Sequence, residues 1–563
     1  MTAPASFELH FNHHRVLVRP GSMLFEAAES LGIPVPTSCD KQGKCKECVV
    51  EVTEGAQNLS ARTEPERHLK GNYRLACCCR VVAEQGVTRC HTMRRGELRI
   101  AKAGQGLALP WLETTKSGDS LDPAVKRDGN RVLLDGEEIA RDSGPLHGLA
   151  MDLGTTTVVL RLLNLETGAV VATSCFENPQ RFGGSDVMAR IRYDCEDGTR
   201  VLQRTLAGYL NRQIAQFPVP PTSIYELVVA GNSTMRDLFF GLNVYSLGQN
   251  PYQSLTELEL TQGRRLTTSL TESARSLGLE LHPQARVYGL PLISGHVGSD
   301  AAASLLAVGM MSEDRLVAVM DLGTNTELLV GNKTRVMAAS CPAGPAFEGG
   351  RIGCGMPGLP GAIERVRIEA DGSIRVEVIG GGAAEGVCGS GLVDALGELL
   401  RTGRMNARGR FQNGTAKVML GTGGDEPVYL SEHDINELAQ AKGANAAGLR
   451  ILFEEYGVRP EAVEVFYLAG GFGQFLDIQS AKRIGLLPNL PDSRIRQVGN
   501  ASIEGACQVL LSQTRRHELE RFVQKVTHCR LEAHPRFFDY FTEGCQFAPL
   551  EEPVARSRAI IPR

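Results

Sequence analysis

One short pattern occurs twice in the chain and limits the possible fold more than any other feature. An apolar run ends in an aspartate, turns through glycine and two polar residues, and resumes as a second apolar run. The two copies are Asp152 with Gly154, Thr155 and Thr156, and Asp321 with Gly323, Thr324 and Asn325. Each copy predicts a β-hairpin whose turn offers N–H groups and hydroxyls to an anion, beside one carboxylate. The 169 positions between the aspartates fit a duplicated domain, so the pair predicts a clamp for a nucleotide.

The predicted elements that follow each hairpin also come in the same order in both halves. A buried strand runs into a glycine turn, and a helix rich in small residues comes later. In the first half these are residues 226–230, Gly231 and a helix near Gly298; in the second they are residues 463–468, Gly470-Gly471 and a helix near Gly499. The sequence therefore predicts two α/β lobes over residues 147–312 and 313–530.

This arrangement resembles the actin-like ATPase superfamily, which includes sugar kinases, acetate kinase and heat-shock chaperone ATPases. The resemblance implies a ribonuclease H-like fold in which the hairpins are phosphate loops, residues 468–473 are the adenosine loop, and the two small-residue helices form a hinge. It also implies that Asp152 and Asp321 are catalytic and orient Mg²⁺-bound water and the attacking water. The implied nucleotide contacts are Gly154, Thr155, Thr156, Gly323, Thr324, Asn325, Gly470 and Gly471.

A glycine-rich insertion separates the second hairpin from the adenosine loop. Gly389 and Ser390 precede a helix within it and are candidate phosphate or ribose contacts, with tight packing as the alternative for any single glycine. Three scattered cysteines of the insertion are expected to be buried small residues rather than cluster ligands: Cys341, Cys354 and Cys388. In the helix predicted over 434–453, Lys442 is expected to be exposed, with a nucleotide contact as the alternative.

Six of the 15 cysteines fall between Cys39 and Cys79. Without an export signal, such density indicates metal or redox chemistry rather than disulfides. The first three follow the spacing Cys-x5-Cys-x2-Cys, with glycine and polar residues that let a loop curl around an inorganic cluster: Cys39, Cys45 and Cys48. A fourth thiolate is expected from a different element, and three adjacent cysteines are available there: Cys77, Cys78 and Cys79.

This series resembles the [2Fe–2S] ferredoxins of the plant and adrenodoxin type, with the longer first interval of the latter. The resemblance covers residues 1–93 and implies a β-grasp ferredoxin-like domain. Its implied metal ligands are Cys39, Cys45, Cys48 and Cys77, the last within Arg74-Leu75-Ala76-Cys77. Cys90 is then not a metal ligand. A structural zinc site is the alternative, although zinc sites usually combine Cys-x2-Cys with a second close pair, which the lone Cys39 does not provide.

The remaining segments predict connections rather than sites. Residues 94–146 are rich in turns and predict a linker with minor structure, including Trp111 and a short strand at 131–134, that lets the cluster domain swing. The tail, residues 531–563, carries an aromatic run at 537–541 that is expected to pack on the second lobe.

Charge and hydropathy exclude two classes of partner. The net charge of −4 gives no basic field for nucleic acid. No apolar run approaches the ~18 residues of a membrane span. The first residues also lack the charged-then-apolar layout of a secretory signal. The sequence predicts a cytoplasmic protein with no nucleic-acid partner and no membrane partner.

The chain combines a one-electron carrier with an ATPase clamp, and no glycine motif for a flavin or nicotinamide cofactor follows a strand. This combination indicates that the electron acceptor is on another protein. The combination resembles the ATP-dependent reductive activators of corrinoid proteins over nearly the whole chain. The matching motifs are residues 151–157, 177–180, 229–235, 342–349, 386–391 and 468–473. The resemblance implies ATP-driven transfer of one electron from a [2Fe–2S] cluster, which converts Co(II) to Co(I).

The same resemblance implies several partners. They are Mg²⁺ with ATP, a corrinoid protein of a methyltransferase or demethylase system, an upstream low-potential electron donor, and a second copy of the chain in a homodimer. Asn178, Gln180 and the loop at Cys388 are candidate contacts for the corrinoid protein. Two alternatives stay open: an activator of a dehydratase or aromatic-ring reductase, which bridges a [4Fe–4S] cluster between subunits, and a metabolite kinase with a regulatory cluster.

Overall fold

This computed structural model describes residues 7–93 except 13, 38 and 40, and residues 121–550 except 413, 424, 425 and 472. Several parts of the sequence predictions lie outside the described residues: residues 1–6 of the N-terminal domain, residues 38 and 40 of the cysteine loop, Trp111 with the rest of segment 94–120, Phe472 of the adenosine loop, and residues 551–563 of the tail. No helix in the described ranges is long and apolar enough to cross a bilayer.

The N-terminal unit is a five-stranded sheet with one helix packed on it. The elements are β1 (Phe7–Phe11), β2 (His14–Val18), α1 (Leu24–Ser30), β3 (Val49–Glu54), β4 (Tyr73–Leu75) and β5 (Val87–Thr92). Strand β1 alternates inward and outward side chains, and its inward residues Phe7, Leu9 and Phe11 are fully buried. The strand order is β2-β1-β5-β3-β4, in which only β1 and β5 are parallel, and this is the predicted β-grasp arrangement.

The described part of the predicted linker contains a three-stranded antiparallel sheet: β6 (Val125–Asp128), β7 (Arg131–Leu134) and β8 (Glu137–Arg141). Val125 and Val132 are buried in one core with residues of both lobes. The Asp122 N–H donates to Leu511 O at 3.0 Å, and the Gln513 N–H donates to Asp122 O at 2.8 Å. Residues 121–146 are therefore fixed to the rest of the chain rather than free beside it.

Two lobes follow, and each is built on a six-stranded sheet. The first contains β9 (His147–Leu153), β10 (Thr157–Asn164), β11 (Val170–Glu177), α2 (Val187–Asp197), α3 (Val201–Ile214), β12 (Ile224–Gly231), α4 (Ser233–Phe239), α5 (Leu255–Thr261), β13 (Leu270–Ser273), β14 (Arg286–Gly289) and α6 (Ser299–Ala307). The second contains β15 (Val317–Asp321), β16 (Thr326–Gly331), β17 (Val336–Cys341), β18 (Ala362–Ile368), β19 (Ile374–Val378), β20 (Gly386–Val387), α7 (Gly389–Arg401), β21 (Lys417–Gly423), β22 (Glu426–Ser431), α8 (Glu432–Tyr456), β23 (Val465–Ala469), α9 (Ile478–Arg483), β24 (Ile495–Gly499), α10 (Ala501–Leu511), α11 (Gln513–Val523), β25 (Thr527–His528) and α12 (Phe537–Gly544).

The two sheets share the topology of five strands and differ in the sixth, which is β13 beside β14 in the first sheet and β25 beside β17 in the second. The first has the order β11-β10-β9-β12-β14-β13, and the second has the order β25-β17-β16-β15-β23-β24. In each, a three-stranded antiparallel meander is extended from its first strand by two parallel strands. All eight residues of β12 and all five of β23 are buried, as expected for parallel strands covered on both faces. The predicted duplication and the actin-like fold class are confirmed.

Helices α6 and α10 pack against each other between the sheets, at the hinge that the sequence predicts. Their closest approach is at Gly505, where a Cβ atom would lie 2.1 Å from Ala303 O. Only glycine fits this crossing, because a contact of that length lies well inside the van der Waals limit.

Gly505→Ala is therefore expected to destabilise the protein by about 1–3 kcal/mol, because one methyl group must push the two hinge helices apart. Urea denaturation monitored by circular dichroism measures this loss. Gly208→Ala in α3 is the matched control, since its Cβ would meet only Pro36 Cβ at 3.8 Å. Equal stability of both variants would contradict a close-packed hinge.

The last helix packs on the second lobe, as predicted. Tyr540 is buried and its hydroxyl donates to both carboxylate oxygens of Glu454 in α8, at 2.7 and 2.9 Å. The prediction that Lys442 is exposed was wrong: it is 1% exposed, and its ammonium donates to Gln546 O beneath the same tail. Burial lowers the pKa of Lys442 to about 8. This lysine therefore holds the tail on α8, away from the predicted nucleotide contacts.

Candidate functional site

The thiols of the N-terminal unit lie in two neighbouring pairs. Cys48 Sγ and Cys77 Sγ are 3.2 Å apart, because β3 and β4 pair side by side and the Ala76 N–H donates to Cys48 O. Cys39 Sγ and Cys45 Sγ lie 4.0 and 3.9 Å from one hydroxyl, that of Thr37. Four thiols arranged as two pairs fit a two-iron cluster, in which each iron takes two protein ligands.

The geometry separates the three adjacent cysteines of the fourth ligand position. Cys77 contacts Cys48, whereas Cys78 Sγ lies 3.7 Å from Cys77 Sγ and Cys79 is fully buried beside Ser60 and Arg74. Burial raises the pKa of the Cys79 thiol to about 12, so this side chain stays a neutral packing group.

Strand β4, which ends two residues before Cys77, is held in place by a buried ion pair. Arg74 Nε lies 2.8 Å from Glu66 Oε1, and the same carboxylate oxygen accepts the Leu75 N–H at 3.1 Å. The side chain of Glu66 is fully buried. This pair fixes the backbone on which the fourth thiol is presented.

A single cleft between the lobes is lined by every residue that the sequence predicts for the nucleotide. They are Asp152, Gly154, Thr155, Thr156, Asp321, Gly323, Thr324, Asn325, Gly389, Ser390, Gly470 and Gly471. The two hairpin turns face each other across it. Gly470 adopts φ +97°, and a Cβ there would lie 2.3 Å from Leu322 O, so the adenosine-type turn requires glycine at this position.

Each of the two hairpin aspartates accepts hydrogen bonds from a helix in the opposite half of the chain. Asp152 accepts hydrogen bonds from Asn500 Nδ2 at 2.7 Å and from Ser502 Oγ at 2.9 Å, both at the start of α10. Asp321 accepts a hydrogen bond from Ser304 Oγ of α6 at 2.9 Å. The hinge helices thus orient both carboxylates as well as joining the lobes.

Four carboxylates crowd the base of the cleft. Burial and the charge of Asp152 raise the pKa of Asp321 to about 7. Burial and the charges of Asp152 and Asp321 raise the pKa of Asp300 to about 7. Burial, then Asp300 and Asp321, hold the pKa of Glu327 well above its usual range. In the part of the chain that the structure describes, no lysine or arginine lines this cleft. Crowded oxygen donors without a protein counter-charge fit a bound Mg²⁺.

The two phosphate-type turns also touch each other. Thr156 Oγ1 and Thr324 Oγ1 are 2.9 Å apart, and both hydroxyls donate to Glu348 Oε2, that of Thr156 at 2.7 Å. Glu348 lies in the motif at 342–349, on the loop after β17. One carboxylate oxygen therefore bridges the lobes at the point where the turns meet.

The first turn is braced by buried polar side chains. Arg190 Nη2 donates to Thr155 O at 2.6 Å, and Asn232 Nδ2 donates to Thr155 Oγ1 at 2.9 Å. Asn178 donates from Nδ2 to Gly154 O at 2.8 Å and from its N–H to Thr156 O at 2.6 Å. These contacts fix the turn before any ligand arrives.

Two predicted contacts for a corrinoid partner, Asn178 and Gln180, were wrong, because they are 1% and 0% exposed and present no surface to another protein. In the loop at Cys388, the Cys388 side chain is 6% exposed and lines the cleft, whereas Glu385 is exposed, so this loop stays a prediction. Asn500, Ser502 and Glu348 were not among the predicted site residues. The only local signal was the glycine and polar residues flanking the hinge helix at 499–502, which mark a helix start but not its target.

The ferredoxin-like unit docks on the first lobe beside this site. Arg212 and Arg204 of α3 donate to Val35 O at 2.5 Å and to Cys45 O at 3.3 Å, so α3 contacts the cysteine loop itself. Arg181 lies 3.1 Å from Glu51 and donates to Thr92 O at 3.4 Å. Arg181 follows Asn178 by three residues, so one short segment contacts both the cluster unit and the first turn.

Comparisons with known proteins agree with this division of the chain. A model described as a 2Fe-2S iron-sulfur cluster binding domain matches residues 10–82. Models described as the RACo middle region and as the C-terminal domain of RACo, the ASKHA domain, match residues 147–313 and 315–555.

Individual relatives match over most of their length. The chain is 28% identical to the corrinoid activation enzyme RamQ of Eubacterium limosum, over 93% of this chain and 96% of that protein. It is 27% identical to the [Co(II) methylated amine-specific corrinoid protein] reductase of Methanosarcina barkeri, over 72% and 78%. The solved structure of a reductive activator for corrinoid, iron-sulfur protein superposes with a TM-score of 0.70 at 28% identity, covering 97% of this chain and 99% of that one.

Proposed function

The chain belongs to the RACo family of reductive activators, and from this premise we propose that it returns a corrinoid protein from Co(II) to Co(I), with one electron from a [2Fe–2S] cluster and hydrolysis of ATP. The observation that carries the proposal is the docking of a unit with four clustered thiols on the first lobe of a two-lobed nucleotide cleft, in one chain. A metabolite kinase needs no such loop, and a dehydratase activator holds its cluster between subunits.

The cluster would be held by Cys39, Cys45, Cys48 and Cys77. When bound, it supplies a single low-potential electron, at about −400 mV for ferredoxins of this type. The Co(II)/Co(I) couple of a corrinoid is more reducing still, and for one electron each ~59 mV of deficit lowers the equilibrium constant tenfold. The uphill transfer explains why a nucleotide-driven clamp accompanies the electron carrier.

The nucleotide would lie between the two turns. Their N–H and hydroxyl groups are disposed to bind phosphate oxygens, and Gly470 and Gly471 let the adenosine approach the backbone. Asp152 and Asp321 would orient Mg²⁺-bound water and the attacking water. The support for these roles is their shared cleft and the crowding of their carboxylates.

The segment 178–181 would couple the two activities. Asn178 binds the turn that receives phosphate, and Arg181 binds the ferredoxin-like unit through Glu51 and Thr92 O. Phosphate entering the turn acts on the same segment that holds the cluster unit in place. Nucleotide binding thereby changes the position of the electron carrier as the lobes close.

The remaining assignments belong to the same proposal. The partner is a corrinoid protein of a methyltransferase or demethylase system, and a low-potential donor refills the cluster. In this proposal the protein is a homodimer and is located in the cytoplasm.

An anaerobic reduction assay tests the function. The purified chain is reduced and mixed with a Co(II) corrinoid protein in the presence of ATP, ADP or no nucleotide, and the Co(I) absorbance band is followed. We expect Co(I) with ATP only, and two irons per chain. Zinc in place of iron, or equal reduction without nucleotide, would overturn the proposal.

A further inference from the structure

Glu348 occupies the position at which the two phosphate-type turns meet. Its Oε2 accepts hydrogen bonds from the hydroxyls of Thr156 and Thr324, one from each lobe, and its backbone ends the short 3₁₀ turn Ala346–Glu348. The Gly344 N–H donates to Thr324 O at 2.8 Å, so the Glu348 loop is tied to the second turn. No ion pair joins Glu348 to a basic side chain within the described ranges.

A phosphate in the cleft needs the same two hydroxyls. It cannot share them with a carboxylate, because two anions on one pair of donors repel each other in a buried site. Phosphate binding therefore releases Glu348 from the threonines while its backbone stays fixed to the second turn. The released carboxylate remains beside the two turns, where Arg190 acts on it through its charge but forms no ion pair with it.

We propose that Glu348 is the general base for ATP hydrolysis, an inference that rests on the proposed function. The oxygen of a water attacks the γ-phosphorus while one water proton passes to the Glu348 carboxylate. The bond between the γ-phosphorus and the β,γ-bridging oxygen breaks, and its electron pair leaves with ADP. The proton then passes from Glu348 to the released phosphate or to solvent. Without nucleotide, the same carboxylate satisfies the two threonine hydroxyls.

Glu348→Gln tests the assignment, because it keeps the size and an acceptor oxygen but cannot take a proton. We expect its kcat for ATP hydrolysis to fall by about 10²–10⁴-fold. Its affinity for a fluorescent ATP analogue should stay equal or become tighter, because a competing negative charge is gone. Glu369→Gln, at the exposed end of β18, is the matched control with unchanged kcat.

If Glu348 were only a structural bridge between the turns, its replacement by glutamine would not lower kcat for ATP hydrolysis. Tighter nucleotide binding with wild-type or higher kcat in Glu348→Gln would overturn the inference. The Glu348→Ala variant adds a second readout: millimolar formate should restore part of its hydrolysis if a base is missing, and no rescue would count against the proposal. Nucleotide binding by both variants shows that the cleft is folded.

The assay separates this inference from the proposed function. Hydrolysis is measured first without corrinoid protein and then with it, and Co(I) formation is recorded in parallel. If wild-type protein needs no ATP for Co(I) formation, the proposed function fails. If wild-type protein needs ATP and Glu348→Gln hydrolyses it normally, only the assignment of Glu348 fails.

Discussion

Replacing Cys77 with alanine is expected to leave the protein without its iron–sulfur cluster and to abolish reduction of the corrinoid protein. Cys77 Sγ lies 3.2 Å from Cys48 Sγ, so its loss leaves one iron with a single protein ligand. Iron content and visible absorbance after anaerobic reconstitution measure the effect, with an expected fall from two irons per chain to near zero.

Cys78→Ala is the matched control, one residue along the same chain. Its sulfur lies 3.7 Å from Cys77 Sγ, outside the Cys48–Cys77 pair, and burial raises the pKa of its thiol to about 11. We expect this variant to keep its iron and its activity. A Cys78→Ala protein without iron, beside a Cys77→Ala protein that retains it, would reverse the ligand assignment.

Asp152→Asn is expected to lower kcat for ATP hydrolysis by about 10²–10³-fold and to reduce ATP-dependent formation of Co(I) in proportion. The substitution removes the charge that would orient Mg²⁺-bound water. It also puts an amide where the carboxylate accepts hydrogen bonds from Asn500 and Ser502. Steady-state hydrolysis and the Co(I) band, recorded on the same preparation, measure both effects.

The control for this charge change is Asp314→Asn. Asp314 is an exposed residue of the second lobe that pairs with Lys333 at the surface, and such pairs contribute little to stability. Its kinetics should match wild type. Hydrolysis by Asp152→Asn at the wild-type rate would show that this carboxylate has no part in the reaction, whatever its position in the cleft.

The sequence predicted what is local and periodic. The hairpins at Asp152 and Asp321, the glycine turns and the cysteine loop are each specified within about a dozen residues, because backbone conformation and side-chain alternation are local properties. The duplication was visible for the same reason, since two copies of a local pattern can be compared without knowing the fold.

Contacts between distant segments could not be predicted in this way. Asn500 meets Asp152 across 348 positions and Glu348 meets Thr156 across 192, so no pattern in either segment names its partner. The predictions that Lys442 is exposed and that Gln180 contacts a partner failed for a related reason. A polar residue is normally exposed, and only tertiary packing decides that one donates to Gln546 O under the tail and the other to Leu202 O.

Each of the two hinge helices orients an aspartate of the other half of the chain. This arrangement bears on how the protein behaves when no inactivated partner is present. Asp152 takes its orientation from a helix of the second lobe, and Asp321 from a helix of the first. The two orienting helices pack on each other at Gly505, so a movement at their crossing would reach both aspartates at once. We therefore expect the chain to hydrolyse ATP slowly when no corrinoid protein is present to favour the closed arrangement.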